Sequence, residues 1–200
     1  MKRLVDFIGA LILLVVSSPL LMLFALLIKV TSPGEIFFRQ ERLGKDGRIF
    51  KIYKFRTMVQ GAQFLGSGMY VEENDTRITP LGKWLRETSL DELPQLINVL
   101  KGEMSLVGPR PAPLHHLSKY DDTQRKRLLM KPGLTGWAQI KGRNEILWPE
   151  RIAYDLWYLE HQSLLLDFYI ILKTVALVFS RKGIQGNPQR REKDPFSKGF

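Results

Sequence analysis

Cysteine is absent from this 200-residue sequence, and histidine is scarce, with three residues. The lack of cysteine excludes disulfide bonds and thiolate metal sites. The histidines, His115, His116 and His161, lack the spacing of a zinc site, so any metal is expected to be a hard cation held by oxygen. Acidic residues are also in deficit: 20 Asp and Glu face 30 Lys and Arg, which leaves a net charge of +10. This excess indicates an anionic partner, namely nucleic acid, anionic lipid headgroups or a phosphorylated substrate.

Charge is missing altogether from residues 7–28, near the start of the sequence. A straight helix over this run would extend about 33 Å, which is enough to cross a bilayer core. The run is too long for a cleaved signal peptide, and no small-residue cleavage site follows it. Ser18 and Pro19 lie at its middle. Because proline has no amide hydrogen, the carbonyl of Val15 loses its helical partner, and a serine hydroxyl is the nearest replacement. The segment is therefore expected to bend at Ser18-Pro19.

Basic residues on both sides of this segment bear on its orientation. The stretch 29–56 is rich in Lys and Arg, which indicates a cytoplasmic location. Lys2 and Arg3 make the other flank basic as well. A kinked single span would place that flank outside, whereas a re-entrant helix keeps both flanks inside. We favour the re-entrant form, and either form leaves the rest of the chain facing the cytoplasm.

The remainder of the sequence predicts a small, mainly helical domain with a short β element. Residues 49–55 alternate apolar and basic side chains after a turn at 44–47, as in a half-exposed strand. Helices, some of them amphipathic and at the surface, are predicted over 81–87, 90–100, 149–161 and 166–179. The fold class is therefore α+β. We expect a membrane helix-break-helix over 1–30, a globular domain over 31–182 and a polar basic tail over 183–200.

Two adjacent carboxylates, Asp91 and Glu92, stand at the start of the predicted helix over 90–100. One interpretation is a capping box between Ser89 and Glu92, which leaves Asp91 unexplained and places Pro94 in the first turn. The other is a functional site, because a helix N-terminus favours ionised carboxylate and phosphate, and two carboxylates can share Mg²⁺. Spacing alone leaves both open.

Three further features are candidates for binding. Arg110 stands between two prolines, a rigid mount that suits phosphate recognition or an ordinary solvated turn. The basic, glycine-rich stretch 131–144 includes Arg143 and suits a nucleotide diphosphate, although such a loop is a weak signal. Asp155 and Asp167 each lie among apolar residues on a predicted helix, and we favour a structural role for Asp167.

These segments together closely resemble the bacterial sugar transferase family, the monotopic phosphoglycosyl transferases. The resemblance extends from the membrane helix to Phe179 and depends on several motifs in one order. The motifs are SP at 18–19, KFRTM at 54–58, TSLDELPQL at 88–96, VGPRP at 107–111 and KPGLTGWAQ at 131–139.

The resemblance implies transfer of a sugar 1-phosphate from a UDP-sugar to polyprenyl phosphate, such as undecaprenyl phosphate. Asp91 matches the first carboxylate of the family's dyad and would attack the β-phosphate, release UMP and carry a covalent phosphosugar. Glu92 matches the second, and with Asp91 it would hold Mg²⁺, with Mn²⁺ possible. The implied substrate-binding residues are Lys54, Arg110, Arg143 and Asp155.

The resemblance also implies a cellular location and a biosynthetic role. Residues 31–182 would be a catalytic domain on the cytoplasmic face of the bacterial inner (cytoplasmic) membrane, in contact with anionic lipids. The reaction would initiate a surface glycan, an exopolysaccharide or a glycoprotein glycan. Lys141 and Tyr169 depart from residues frequent in relatives, a difference that bears on the donor pocket or on lipid contact. The extra N-terminal helices of larger relatives are expected to be absent.

Functions of other classes fit less well. A nucleic-acid-binding protein would explain the net charge, but no nucleic-acid motif is present, so nucleic acid is not an expected partner. A non-catalytic scaffold requires the dyad to be only a helix cap. A metal-dependent glycosyl transfer would typically use an Asp-x-Asp pair, which is missing. The motifs leave open the identity of the sugar, the glycan pathway and the oligomeric state.

Overall fold

The computed structural model describes residues 1–66, 75–143, 145–180 and 194–196. The loop over 67–74, Asn144 and most of the expected basic tail lie outside these described residues. Helices and short β pairs are both present, so the mixed α+β class is confirmed. The helices are α1 (Lys2–Thr31), α2 (Pro80–Glu87), α3 (Leu96–Lys101), α4 (Asp122–Arg125), α5 (Trp137–Gly142), α6 (Trp148–His161) and α7 (Leu164–Ser180). The strands are β1 (Phe37–Leu43), β2 (Ile49–Phe55), β3 (Ser105–Val107) and β4 (Gly133–Thr135).

Strands β1 and β2 form an antiparallel hairpin, and β2 coincides with the strand predicted over 49–55. Their connection turns at Asp46 and Gly47, which both have positive φ angles. Phe50 and Ile52 are buried on one face of β2. Lys54 lies two residues beyond Ile52, and side chains two residues apart share a strand face. Its ammonium group is therefore directed towards the domain rather than into open solvent.

Helix α1 continues through Pro19 without a break in its helical assignment. The Ser18 hydroxyl donates to the Val15 carbonyl at 2.8 Å, so the partner predicted for that carbonyl is confirmed. Because this bond replaces the missing amide, the helix persists where the sequence suggested helix, break and helix. The helical assignment is therefore continuous over Ser18-Pro19, and the bend expected there stays a prediction.

Both halves of α1 pack on the domain. Near its start, Asp6 accepts hydrogen bonds from the Ser105 hydroxyl at 2.8 Å and the Leu106 amide at 3.0 Å. Towards its end, the Phe24 ring lies 5.6 Å from that of Trp84. Between them, Val16 is 74% exposed, and the outward face is apolar along most of the helix. Within the described part of the chain, α1 is the helix long and apolar enough to cross a membrane.

The helix predicted over 90–100 is wrong as a single element. The chain instead forms a 3-10 helix over Leu90–Gln95, followed by the short α3. Pro94 lies inside the 3-10 part and has no amide to donate to an α-helical bond. The other predicted helices agree with α2, α6 and α7 to within two residues at either end.

The short parallel pair of β3 and β4 was not predicted, and it positions the two loops that follow these strands. Ser105 pairs with Gly133 and Val107 with Thr135. A Cβ atom on Gly133 would lie 2.1 Å from the Gly108 amide nitrogen. Glycine is therefore required here for contact between two backbone segments. The pairing places the loop containing Arg110 beside the loop that leads into α5.

Candidate active site

Asp91 and Glu92 lie on the 3-10 helix that leads into α3, and Leu90 beside them packs in the same cluster as Phe24 and Ile28 of α1. Ser89 does not cap this helix through its side chain, so the capping-box interpretation is wrong. Its hydroxyl instead accepts a hydrogen bond from Nη2 of Arg143 at 2.5 Å.

Glu92 is held by two cations. Lys54 Nζ lies 2.5 Å from Glu92 Oε1, and Arg110 Nη2 lies 2.9 Å from the same atom. A second Arg110 nitrogen is 3.4 Å from Oε2. Burial opposes ionisation of this carboxyl, but the charges and hydrogen bonds of Arg110 and Lys54 outweigh it and hold its pKa well below the usual range. Glu92 is therefore a fixed anion that orients both cations.

The environment of Asp91 differs from that of Glu92. The side chain is buried, and no hydrogen bond or ion pair from the described residues ends on its carboxylate. Burial raises the pKa of Asp91 to about 6, while the Lys54 charge lowers it and the Glu92 charge raises it. At neutral pH the group is mostly ionised yet poorly solvated. Such an oxygen is well suited to nucleophilic attack.

Two arginines that belong to none of the sequence motifs also act on the dyad through their charge. Arg86, in the last turn of α2, donates from Nε to the Thr57 hydroxyl at 2.7 Å, and its charge acts on Asp91. Arg42 on β1 is half-buried, and burial together with the Arg110 charge lowers its pKa to about 10. Both arginines stand in segments with ordinary surface charge patterns, so no local pattern indicates their role. The cations around the dyad now comprise Lys54, Arg42, Arg86, Arg110 and Arg143. This surplus suits a multiply charged anion.

Backbone strain is concentrated at this site. Among the described non-glycine residues, positive φ angles occur at Asp46, Ser89 and Arg143. Ser89 and Arg143 are bonded to each other through their side chains. Such conformations persist only where the surroundings enforce them, and they cluster at functional sites.

Asp155 lies behind the site. Its Oδ2 pairs with Arg127 Nη2 at 2.6 Å, and the two side chains are 2% and 1% exposed. Arg127 also donates to the Arg110 carbonyl oxygen at 2.9 Å and thereby supports the backbone that carries Arg110. Lys54, Glu92 and Arg110 meet directly, whereas Asp155 reaches them only through Arg127. Its predicted contact with substrate stays a prediction.

The donor set fits a metal ion that arrives with phosphate ligands. Within the described residues there is no group of three or more His, Asp or Glu able to hold an ion alone. Mg²⁺ is commonly bound by one or two carboxylates together with substrate phosphates. Asp91 and Glu92 supply such carboxylates, although the Glu92 oxygens already accept bonds from Lys54 and Arg110.

Comparison with known proteins shows the family of this chain. Residues 1–181 match the family model described as bacterial sugar transferase. The uncharacterized sugar transferase EpsL of Bacillus subtilis is 41% identical over 92% of this chain and 90% of its own length. The undecaprenyl-phosphate galactose phosphotransferase of Salmonella typhimurium is 39% identical over 92% of this chain, which spans 41% of that protein. The UDP-glucose:undecaprenyl-phosphate glucose-1-phosphate transferase of Xanthomonas campestris is 44% identical over 90% of this chain and 39% of its own length. The chain belongs to the bacterial sugar transferase family.

Proposed function

We propose that this chain transfers a sugar 1-phosphate from a UDP-sugar to a polyprenyl phosphate such as undecaprenyl phosphate, with release of UMP. The observation that carries the proposal is the contrast between two neighbouring carboxylates. Glu92 is held between Lys54 and Arg110, while Asp91 is buried beside the same cations with no hydrogen-bonded partner among the described residues. The names of the Salmonella and Xanthomonas relatives describe transfers of this kind.

In the first step, a carboxylate oxygen of Asp91 attacks the β-phosphorus of the donor. The bond from that phosphorus to the oxygen bridging the two phosphates breaks, and UMP leaves with the bridging oxygen and its electron pair. The product on the protein is a phosphosugar-aspartate. Phosphoryl transfer depends mainly on positioning and charge neutralisation. Arg110, Lys54 and Arg143 are the cations suited to that task.

In the second step, a phosphate oxygen of the lipid carrier attacks the same phosphorus. The bond between phosphorus and the Asp91 oxygen breaks, which restores the carboxylate and yields polyprenyl diphosphosugar. Neither step requires a proton from Glu92. Its pKa is held low, so the carboxyl stays ionised and has no proton to donate. This product would initiate a surface glycan, an exopolysaccharide or a glycoprotein glycan.

Mg²⁺, or Mn²⁺ in its place, would be held by oxygens of Asp91 and Glu92 together with the donor phosphates. When bound, the ion would supply positive charge to the diphosphate. EDTA is then expected to stop UMP release and added Mg²⁺ to restore it. Full turnover in the chelator would contradict this part of the proposal.

We also propose that α1 enters and leaves the bacterial inner membrane by the cytoplasmic face, contacting anionic lipids and placing the dyad near the headgroups. Support comes from the N-terminal flank, where Lys2 forms an ion pair with Asp167 and Arg3 donates to backbone carbonyls of α3. Asp6 is buried against β3. A span with its N-terminus outside would break all these contacts.

The orientation can be tested by cysteine labelling, since the natural sequence has no cysteine. Single cysteines at residues 2 and 45 should both resist an impermeant thiol reagent in intact cells and react after lysis. Labelling at residue 2 in intact cells would contradict the re-entrant orientation and leave the catalytic proposal intact.

The catalytic proposal is tested by UMP release from a panel of UDP-sugars in the presence of polyprenyl phosphate. The wild type should release UMP with at least one donor, and Asp91→Asn should abolish release. The exposed Asp122 provides a matched control, and Asp122→Asn should retain activity. Near-normal turnover of Asp91→Asn would refute the assignment.

A further inference from the structure

The segment Asp194–Phe196 lies beyond the family match over residues 1–181, yet its two end residues are buried against the domain. Asp194 is 5% exposed and Phe196 is 4% exposed. Asp194 Oδ2 accepts the Trp148 amide at 2.8 Å, at the first residue of α6. The Phe196 ring lies 5.0 Å from that of His116 and 5.5 Å from that of Tyr120.

One line of contacts leads from Asp194 to the dyad. Asp194 holds the Trp148 backbone through the amide bond, and the guanidinium of the buried Arg151 lies 4.9 Å from the Trp148 ring centroid. Arg151 donates to the Arg143 carbonyl oxygen. Arg143 in turn donates to the Ser89 hydroxyl, two residues before Asp91.

Arg143 needs this support because its backbone has a φ of 46°, in a region unfavourable for a residue with a side chain. A strained conformation persists where neighbouring contacts enforce it. Arg151 supplies one such contact. Asp194 fixes the start of α6, where the Trp148 ring packs on Arg151.

A second line begins at Phe196. Its ring packs on Tyr120, whose hydroxyl oxygen accepts a bond from Arg127 Nη1 at 2.6 Å. Arg127 donates to the carbonyl oxygen of Arg110 at 2.9 Å. The two lines therefore end on the two arginines that flank the dyad.

We propose that Asp194–Phe196 is a positioning segment that fixes Arg143 and Arg110 for recognition of the donor diphosphate. The identity of the anion rests on the proposed function, but the positioning role does not require turnover. Neither Asp194 nor Phe196 is expected to touch the substrate. Their effect is exerted through Arg151 and Arg127.

The test uses the full chain purified in detergent and pyrophosphate as the probe, with affinity measured by calorimetry. Loss of a charge-assisted contact typically weakens binding on the order of tenfold or more. Asp194→Asn and Phe196→Ala should each weaken pyrophosphate binding by about that factor, and Phe196→Leu should recover part of it. Removal of residues 197–200, which leaves the segment in place, should have little effect.

A double-mutant comparison separates positioning from general destabilisation. Arg143→Gln should weaken pyrophosphate binding by itself, and adding Asp194→Asn should then cost little more, because Asp194 acts through Arg143. The proposal would be overturned if Asp194→Asn and Phe196→Ala both left the pyrophosphate affinity unchanged. It would also be overturned if the effects of Asp194→Asn and Arg143→Gln on that affinity simply added, or if the wild type bound no pyrophosphate. If the variants change pyrophosphate binding as expected but the wild type releases UMP from no donor, the proposed function is refuted and the positioning role is retained.

Discussion

The buried environment of Asp91 predicts that its ionised carboxylate lowers the free energy of unfolding of the wild-type protein. Burial raises its pKa from an ordinary value of 3.8 to about 6. That difference corresponds to about 3 kcal/mol at most, borne by the folded state whenever the group is ionised. Above pH 6 the carboxyl is ionised in both states and the full cost applies. As the pH falls through 6 towards 3.8, the folded form takes up its proton first and the cost disappears.

Replacing Asp91 with asparagine removes the charge while keeping the shape. Asp91→Asn should therefore unfold with a free energy up to about 3 kcal/mol greater than wild type at pH 8, and nearly equal to it below pH 4. Urea unfolding in a mild detergent at both pH values measures this, with Asp122→Asn as the exposed control. A variant less stable than wild type at pH 8, or a difference independent of pH, would refute the description of Asp91 as an anion destabilised by burial.

The remaining predictions concern the groups around Asp91. Asp155→Asn should lower the unfolding free energy by about 3–5 kcal/mol, because it leaves Arg127 buried without its counter-charge. The exposed pair of Glu41 and Lys51, 3.9 Å apart, is the control, and Glu41→Gln should cost less than about 1 kcal/mol; similar losses in both variants would contradict the burial argument. In kinetics, kcat/KM for UMP release should fall as the pH drops below about 6 and Asp91 is protonated. Lys54→Met should move that decline to higher pH, since the Lys54 charge lowers the Asp91 pKa, and an unchanged profile would show that Asp91 does not govern it.

Local features of the fold were largely predictable from the sequence. The alternation over β2 and the apolar spacing of α6 and α7 each specify one element without help from distant residues. The bond from Ser18 to the Val15 carbonyl follows from proline chemistry alone. The 3-10 helix over Leu90–Gln95 was missed because leucines three residues apart fit a 3-10 helix and an α-helix equally well.

The site itself was predictable only in part. Motif resemblance predicts Asp91, Glu92 and Arg110 as site residues, but no local pattern shows that Lys54 and Arg110 both pair with Glu92. The β3–β4 pairing depends on strands too short to show alternation. The pair of Arg127 and Asp155 joins residues 28 positions apart, so its burial is decided only when α6 packs.

The central claim is that Asp91 becomes covalently attached to the phosphosugar. The most direct measurement is peptide mass spectrometry of the full chain after addition of an active UDP-sugar without polyprenyl phosphate. The expected result is a mass increase equal to one sugar phosphate on the peptide that contains Asp91, lost when polyprenyl phosphate is added and absent from Asp91→Asn. UMP release with no adduct, or an adduct on another residue, would contradict the claim.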